Sequence, residues 1–221
     1  MVVLLVLALA AVVVVGGSDS DESTATAPDL EPVTFTTASP TPTPEPWRGK
    51  YSMAGVDNAC DLVDLSVLAP WGRVLENPPL RKEERPDESG GGLLRCITTM
   101  RAEHTVRAVV VPASMITYTK FASRYVDSES RYADDVEFGI ELGGPDAIHG
   151  PVSGLGEEAY LVMVKHNSNP PHHVMYDLFV RDANVVVKID AHVGSDHPID
   201  QRDLDAAFQR QARQILDKLR T

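Results

Sequence analysis

The chain has 221 residues and a formal net charge of −12, and only 6% of its residues are aromatic. This length suits one domain with accessory segments better than two full domains. The region 51–221 carries a net charge of −8 by itself. A surface of that sign repels phosphate groups, which argues against binding of nucleic acid or of anionic lipid headgroups.

The first segment, residues 1–17, is apolar without interruption through Val15 and ends in two glycines. Its length lies between a secretory signal core of about 7–15 residues and a membrane span of about 20 residues. We expect this segment to anchor the chain in the cell membrane, with the folded part on the extracytoplasmic face. The alternative is a signal segment whose cleavage leaves a secreted protein. A buried core strand or helix is disfavoured by the uniform composition.

Residues 18–50 are rich in Ser, Thr, Asp, Glu and Pro, and six prolines lie between Pro28 and Pro46. Such a segment cannot bury enough apolar surface to offset its ordering entropy, so we expect it to be disordered. Its Thr-Pro repeats favour an extended chain with a rise of about 3.1 Å per residue, which allows a reach on the order of 100 Å. We interpret it as a tether through the cell wall, and a disordered tail without a spacing role is the alternative.

The sequence contains two cysteines, Cys60 and Cys96. An even number of cysteines outside the cytoplasm predicts a disulfide bond. Closing a loop of about 36 residues would stabilise the fold by about 3–4 kcal/mol in the chain-entropy model. Two independent buried thiols are the alternative, and a metal site built from two isolated cysteines is less favoured than either.

Apolar periodicity and end signals predict three helices in the region 51–221, which we expect to be one domain. The first spans 57–68, where Asp57 or Asn58 can cap the start and Pro70 stops the end. The second spans 114–134, because apolar residues recur there at spacings of three and four. The third begins near Asp200, which can cap it.

Five strands are predicted, at 93–100, 105–111, 158–166, 172–181 and 184–193. In the last of these, Val185, Val187 and Ile189 alternate with more polar neighbours, which is typical of a strand with one buried face. The short turn at 181–184 predicts an antiparallel hairpin between the last two strands. The polar stretch 76–92 is expected to be a surface loop.

The predicted order α-β-β-α-β-β-β-α favours the α+β class, with a mainly antiparallel sheet and helices packed on one face. In this arrangement Cys60 lies in the first turn of the first helix and Cys96 lies in the first strand. The predicted disulfide would therefore attach the opening helix to the sheet.

Three short motifs carry a resemblance: the triplet Cys60-Asp61-Leu62, the later Cys96, and a Gly-x-Gly-x-x-Ala turn at 154–159. Together with the apolar start and the Thr/Pro-rich segment, they resemble a group of secreted actinobacterial lipoproteins of unknown function, over about 56–219. The resemblance implies an extracytoplasmic α/β sandwich-like domain and no known reaction. This chain departs from the group in lacking a lipid-bearing cysteine after residue 17. It also has Ile97 and Thr98 where an aromatic residue often follows the second cysteine.

The glycine motif at 154–159 also imitates a dinucleotide-binding fingerprint. That chemistry needs a helix after the motif, to receive the pyrophosphate at its N-terminus, whereas a strand is predicted there. Ser153 lies beside the motif without the Gly-x-Ser-x-Gly spacing of a hydrolase nucleophile. We therefore predict a simple turn, no catalytic residues and no cofactor.

Several histidines lie in the C-terminal half, and His166 and His172-His173 lie at the ends of neighbouring predicted strands. A zinc site needs three or four converging ligands. Adjacent histidines on a strand point to opposite faces, so only one of the pair could join His166. Surface histidines are the preferred interpretation, and no metal site is predicted.

The expected function is non-enzymatic: the domain binds a small ligand or a protein partner in the cell envelope. The candidate binding residues are Lys188, Asp190 and His192, on the strand face opposite Val185, together with Ser153 in the loop 150–156. A hydrolase acting on envelope material is one alternative, and it would need a deep pocket with two convergent ionisable side chains. A structural spacer is another, and it would show neither a pocket nor an apolar patch.

Overall fold

The computed structural model describes residues 50–72, 74–75, 77–85, 90–101, 113–123, 127–166 and 172–221. The expected anchor at 1–17, residues 18–49 of the expected tether and the expected strand at 105–111 lie outside these ranges. Within them, no helix has both the length and the apolar character needed to cross a membrane.

One antiparallel sheet of eight strands forms the centre of the described region, which confirms an α+β fold built mainly on antiparallel pairing. The spatial order is β1-β3-β4-β8-β7-β6-β5, and β2 also pairs with β3. The strands are β1 Val74–Leu75, β2 Leu80–Glu84, β3 Gly90–Arg101, β4 Ala113–Ser123, β5 Ile148–Pro151, β6 Glu158–His166, β7 His172–Asp182 and β8 Val185–Ser195.

The described helices are two α-helices and two short 3₁₀ helices. They are α1 Ser128–Gly143, α2 Gln201–Leu219, and the 3₁₀ helices Ala59–Leu62 and Leu65–Leu68. The predicted final helix is confirmed as α2, and Asp200 caps it by accepting a hydrogen bond from the backbone of Arg202 at 2.9 Å. The predicted strands at 158–166, 172–181 and 184–193 are confirmed as β6, β7 and β8.

The predicted antiparallel hairpin between β7 and β8 is confirmed. Asp182 pairs with Val185, so Ala183 and Asn184 alone make the turn. Ala183 has a φ of 48°, which is the left-handed conformation that two-residue hairpin turns require. Because this turn fixes the register between β7 and β8, it also determines which face of the sheet each side chain of β8 occupies.

The two α-helices pack on opposite faces of the sheet, so the prediction that helices share one face is wrong. On the front face, the ring of Tyr176 in β7 lies 5.0 Å from the ring of Phe208 in α2. On the back face, a Cβ added to Gly139 in α1 would come within 2.7 Å of the ring of Phe179. Tyr176 and Phe179 are three positions apart on one strand and therefore point to opposite faces.

The predicted helix at 114–134 is wrong over its first half, which forms strand β4, and the helix α1 begins later, at Ser128. Buried and half-exposed side chains alternate along β4: Met115, Thr117 and Thr119 are buried, whereas Ile116 and Tyr118 are partly exposed. The β-branched and aromatic residues of this stretch are stiff at χ1 and fit a pleated surface well. Their preference for a strand outweighs the helical spacing of the same apolar residues.

The predicted helix at 57–68 is replaced by the two 3₁₀ helices. Asn58 caps the first, whereas Asp64 caps the second by accepting a hydrogen bond from the backbone N–H of Ser66 at 3.0 Å. A side chain that bonds nearby backbone competes with continued helix. The Asp64 cap therefore divides the segment into two turns.

The stretch 76–92, predicted as a surface loop, contains the strand β2 and the start of β3. Strand β2 pairs with β3, with Arg81 opposite Cys96. Its sequence, Leu-Arg-Lys-Glu-Glu, is charged after the first residue. Charged side chains on a short edge strand discourage pairing with another chain, so the charge run is compatible with sheet structure.

The predicted disulfide between Cys60 and Cys96 is present, with the two Cα atoms 5.0 Å apart. It joins the first 3₁₀ helix to β3, and Cys96 is buried. The bond therefore attaches the opening segment to the sheet, as the sequence predicted.

Candidate functional site

The candidate site lies on the back face of the sheet, on the strip of β8 beside helix α1. Helix α1 covers mainly β6 and β7 on this face. Three of the four predicted binding residues, Lys188, Asp190 and His192, point to the back face, because their odd-numbered neighbours on β8 face the core. Lys188 and Asp190 are partly exposed and His192 is exposed.

These residues form a charged cluster with Asp177 of β7, which pairs directly with Asp190. The Lys188 Nζ lies 3.2 Å from Asp177 Oδ1 and 3.9 Å from Asp190 Oδ2. The His192 Nε2 lies 3.3 Å from Asp190 Oδ1. We call these four residues the charged cluster. It places one ammonium and one imidazole around two opposed carboxylates.

Sequence reasoning missed Asp177, although the signal for it was present. Val174, Tyr176, Leu178 and Val180 occupy alternate positions along β7 in the sequence, which leaves Asp177 on the other face with Asp190. The fourth predicted residue, Ser153, does not join the cluster. It is exposed in the turn between β5 and β6, and β6 and β7 separate that edge of the sheet from β8.

Asp177 is the most buried member of the charged cluster, with 8% of its surface exposed. Burial raises the pKa of its carboxyl group and the opposed Asp190 adds to this, while Lys188 offsets part of the effect. Although Asp177 Oδ1 lies near Lys188 Nζ, it accepts no hydrogen bond of acceptable geometry from the described residues. A buried carboxylate whose hydrogen bonding is incomplete is costly, so this position favours a further donor or a proton.

His192 is held by Asp190, whose hydrogen bond raises the pKa of the imidazole above its ordinary value. Because the folded-state pKa is raised, the stabilisation from this pair is complete below about pH 6.5 and is lost as pH rises through the folded value. The charged cluster is thus more cationic at mildly acidic pH.

Replacing Asp190 with asparagine is expected to lower the titration midpoint of His192, because the carboxylate that stabilises the imidazolium is gone. NMR titration of the histidine ring protons measures this midpoint. Asp217→Asn removes the same charge from an exposed position on α2 and should leave the midpoint unchanged. An Asp190→Asn midpoint equal to that of the unaltered protein would show that the two side chains do not interact.

Two exposed side chains of α1 form an apolar wall on the flank of the helix that faces β4 and β8. Phe138 and Leu142 of α1 are each 60% exposed and lie one helical turn apart. Asp135 on the same helix pairs with Lys120 of β4 at 2.6 Å, so its flank faces β4 and β8. Residues three and seven positions after Asp135 share that flank, which places Phe138 and Leu142 along the edge of the open strip.

A groove of about 490 Å³ runs along the opposite flank of α1. Four glutamates and four less polar side chains line it. They are Glu129, Glu137, Glu141 and Glu158, with Tyr132, Ala133, Val136 and Ile140. Burial, with Glu158 nearby, raises the pKa of Tyr132 to about 12, so this phenol stays protonated at neutral pH. We call this feature the acidic groove.

The remaining histidines do not assemble with other metal-ligating side chains in the part of the chain that the structure describes. His166 stands opposite His173, because β6 and β7 pair antiparallel. The His166 Nε2 lies 3.3 Å from Met175 Sδ, and His149 Nδ1 lies 2.9 Å from the hydroxyl of Tyr160.

The glycine motif at 154–159 forms a turn before β6, and no helix follows it. Gly154 and Gly156 have φ values of 73° and 63°, which favour glycine. A Cβ at Gly156 would lie 2.5 Å from the carbonyl oxygen of Arg181. Gly154 therefore serves the turn conformation alone, whereas Gly156 also allows close backbone approach, and the helix N-terminus that would receive a pyrophosphate does not follow.

The motifs that carry the resemblance to secreted lipoproteins occupy ordinary structural positions. Cys60 lies in the first 3₁₀ helix, Cys96 lies in β3, and the glycine turn precedes β6. The disulfide between the two cysteines does not identify a family. No protein-family model, no curated protein and no solved structure shows a significant match to this chain.

Proposed function

We propose that this protein is a non-enzymatic binding module on the extracytoplasmic face of the cell membrane, held there by residues 1–17 and spaced by the segment 18–50. The Cys60–Cys96 disulfide supports an oxidising location. We further propose that the module belongs with the secreted lipoprotein-like domains that its short motifs resemble. Its ligand is a small molecule or a protein partner of the envelope.

The observation that carries this proposal is the charged cluster on a partly exposed strip of the sheet. Buried ion pairs contribute little to stability, and apolar residues of similar size would often serve the fold better. Asp177 and Lys188 nevertheless occupy largely buried positions where apolar side chains would fit, with side-chain exposures of 11% and 15%. A binding role explains why charged residues occupy these positions, because their ammonium and carboxylate groups can pair with a polar ligand.

The apolar wall of Phe138 and Leu142 supports the same conclusion. Exposed apolar patches rimmed by polar residues commonly mark binding surfaces. The wall lies on the flank of α1 that faces β8, and the charged cluster lies on β7 and β8, so the proposed ligand has both polar and apolar parts. A purely structural spacer gives no reason for either feature.

Capture from intact envelopes tests the proposal. Full-length protein is cross-linked in cells and recovered, and the species bound by the unaltered chain are compared with those bound by Lys188→Met. We expect recovery to fall by about fivefold or more, the size typical of losing a significant contact. Lys218→Met, on the exposed side of α2, is the matched control and should retain binding.

Equal recovery with Lys188→Met and Lys218→Met would contradict a binding role for the charged cluster. Circular dichroism and a thermal melt of each variant establish that it is folded. Assaying the same preparations for released wall or lipid fragments tests the hydrolase alternative, which predicts products that disappear in Asp177→Asn.

A further inference from the structure

The acidic groove has the shape of a short trough along one helix. It extends along α1 from Glu129 to Glu141, which corresponds to about 18 Å at a rise of 1.5 Å per residue. Its volume of about 490 Å³ lies within the range of roughly 300–1,000 Å³ that is usual for ligand sites. A trough of this length matches about three turns of a helix or five to six extended residues.

The floor and the rim of the groove differ in chemistry. Ala133, Val136 and Ile140 lie at spacings of three and four, so they form one apolar stripe. Glu137 and Glu141, one turn apart, form the outer rim. Both are exposed, and neither forms a salt bridge within the described parts of the chain.

The negative charge of the opposite rim of the groove is partly neutralised by an arginine. Glu158 at the start of β6 pairs with Arg181 at 3.2 Å, and the same guanidinium lies 2.8 Å from Glu157. The negative potential of the groove is therefore concentrated on the α1 side. The region 51–221 as a whole carries a net charge of −8, so the field of the domain also attracts cations towards its surface.

We propose that the acidic groove binds a short basic, amphipathic segment of a partner protein. Apolar side chains of that segment pack on Ala133, Val136 and Ile140, and its Lys or Arg side chains pair with Glu137 and Glu141. Charge complementarity selects a basic occupant over an acidic or neutral one. The apolar stripe selects an amphipathic peptide over a simple polyamine, because a polyamine has no side chains to place on the floor.

This site is separate from the charged cluster. The groove lies on the flank of α1 that faces β6, whereas Phe138, Leu142 and the charged cluster lie along the other flank. Lys188→Met should therefore leave peptide binding in the groove unchanged. The two proposals can fail independently.

Fluorescence anisotropy with a labelled twelve-residue peptide of Lys and Leu, arranged to form an amphipathic helix, tests the proposal on the full-length protein in detergent. Glu137→Gln combined with Glu141→Gln is expected to weaken binding by about fivefold or more. Asp203→Asn combined with Asp217→Asn removes the same charge from exposed positions on α2. This control should change the affinity by less than about twofold, since distant exposed charges are screened by salt.

One protein variant and one altered peptide test the apolar floor. Val136→Thr keeps the side-chain shape but makes the floor polar, and it should also weaken binding of the amphipathic peptide. A peptide of the same composition in shuffled order should bind more weakly than the amphipathic one.

Three results would overturn the proposal. The first is equal weakening by the α1 and α2 charge variants, which would mean attraction by net charge alone. The second is a combination of three observations: the shuffled and amphipathic peptides bind equally, Val136→Thr has no effect, and spermidine competes fully. This combination would mean that the groove is a polyamine-type site. The third is no measurable binding of the amphipathic peptide.

Discussion

Replacing Phe208 with alanine is expected to reduce the free energy of unfolding by about 3–5 kcal/mol, the usual cost of deleting a fully buried aromatic ring. Phe208 is 0% exposed. Its ring lies 6.1 Å from that of Trp71 and 5.0 Å from that of Tyr176. The side chain thus joins α2 to both the sheet and the segment after the second 3₁₀ helix, and its loss opens a cavity between them.

Urea denaturation with linear extrapolation measures the effect. Phe138→Ala is the matched control, since it deletes the same ring from a position on α1 that is 60% exposed. Exposed substitutions usually change stability by no more than about 0.5 kcal/mol. Similar losses for the two variants would show that the front face does not hold the core described above.

Removing the disulfide is expected to lower the free energy of unfolding by about 3–4 kcal/mol in the chain-entropy model. The bond closes a loop with a sequence separation of 36 residues, and much of its effect lies in restricting the unfolded chain. For a domain of this size, such a loss corresponds to a fall of roughly 6–16 °C in the melting temperature.

Two measurements separate the cross-link from the packing of its sulfur atoms. Unaltered protein melted with and without reductant gives the effect of the bond alone, whereas Cys60→Ala combined with Cys96→Ala also removes the buried sulfur of Cys96. We expect the reduced protein and the double variant to be destabilised by similar amounts. A reduced protein as stable as the oxidised one would show that the bond carries no stability.

The sequence predicted the elements whose hydrophobic pattern has a single interpretation. Strand β8 alternates from Val187 to Val193, and α2 repeats Leu204, Phe208, Ile215 and Leu219 on its buried face. The hairpin turn fixed the register between β7 and β8. These features involve local periodicity and short-range pairing, both of which can be seen in one chain.

Helix α1 could not be recognised in the same way, because glycines lie on the side that faces the sheet and large apolar residues lie on the exposed side. The residues that approach the sheet include Gly139 and Gly143, where an added Cβ would meet Phe179 and Val162. The large apolar residues Phe138 and Leu142 are exposed instead. Close packing through glycine leaves no hydrophobic stripe on the face of α1 that contacts the sheet, so the side of the sheet that the helix covers depends on tertiary structure.

The candidate site was predictable in part. Alternation along β8 placed Lys188, Asp190 and His192 on the face opposite the core, whereas their union with Asp177 depended on cross-strand register. Ser153 was included among the predicted binding residues because it lies beside a glycine motif, but that motif serves the backbone geometry of a turn. The acidic groove required the true position of α1, since its floor and rim both come from that helix.

The redox state of Cys60 and Cys96 in protein taken from living cells shows whether the domain lies in an oxidising or a reducing compartment. Free thiols are alkylated during lysis, and the intact mass is compared before and after chemical reduction. We expect no alkylation before reduction and two modified cysteines after it. Two cysteines already modified at lysis would place the domain in a reducing compartment and contradict the extracytoplasmic binding module proposed for it.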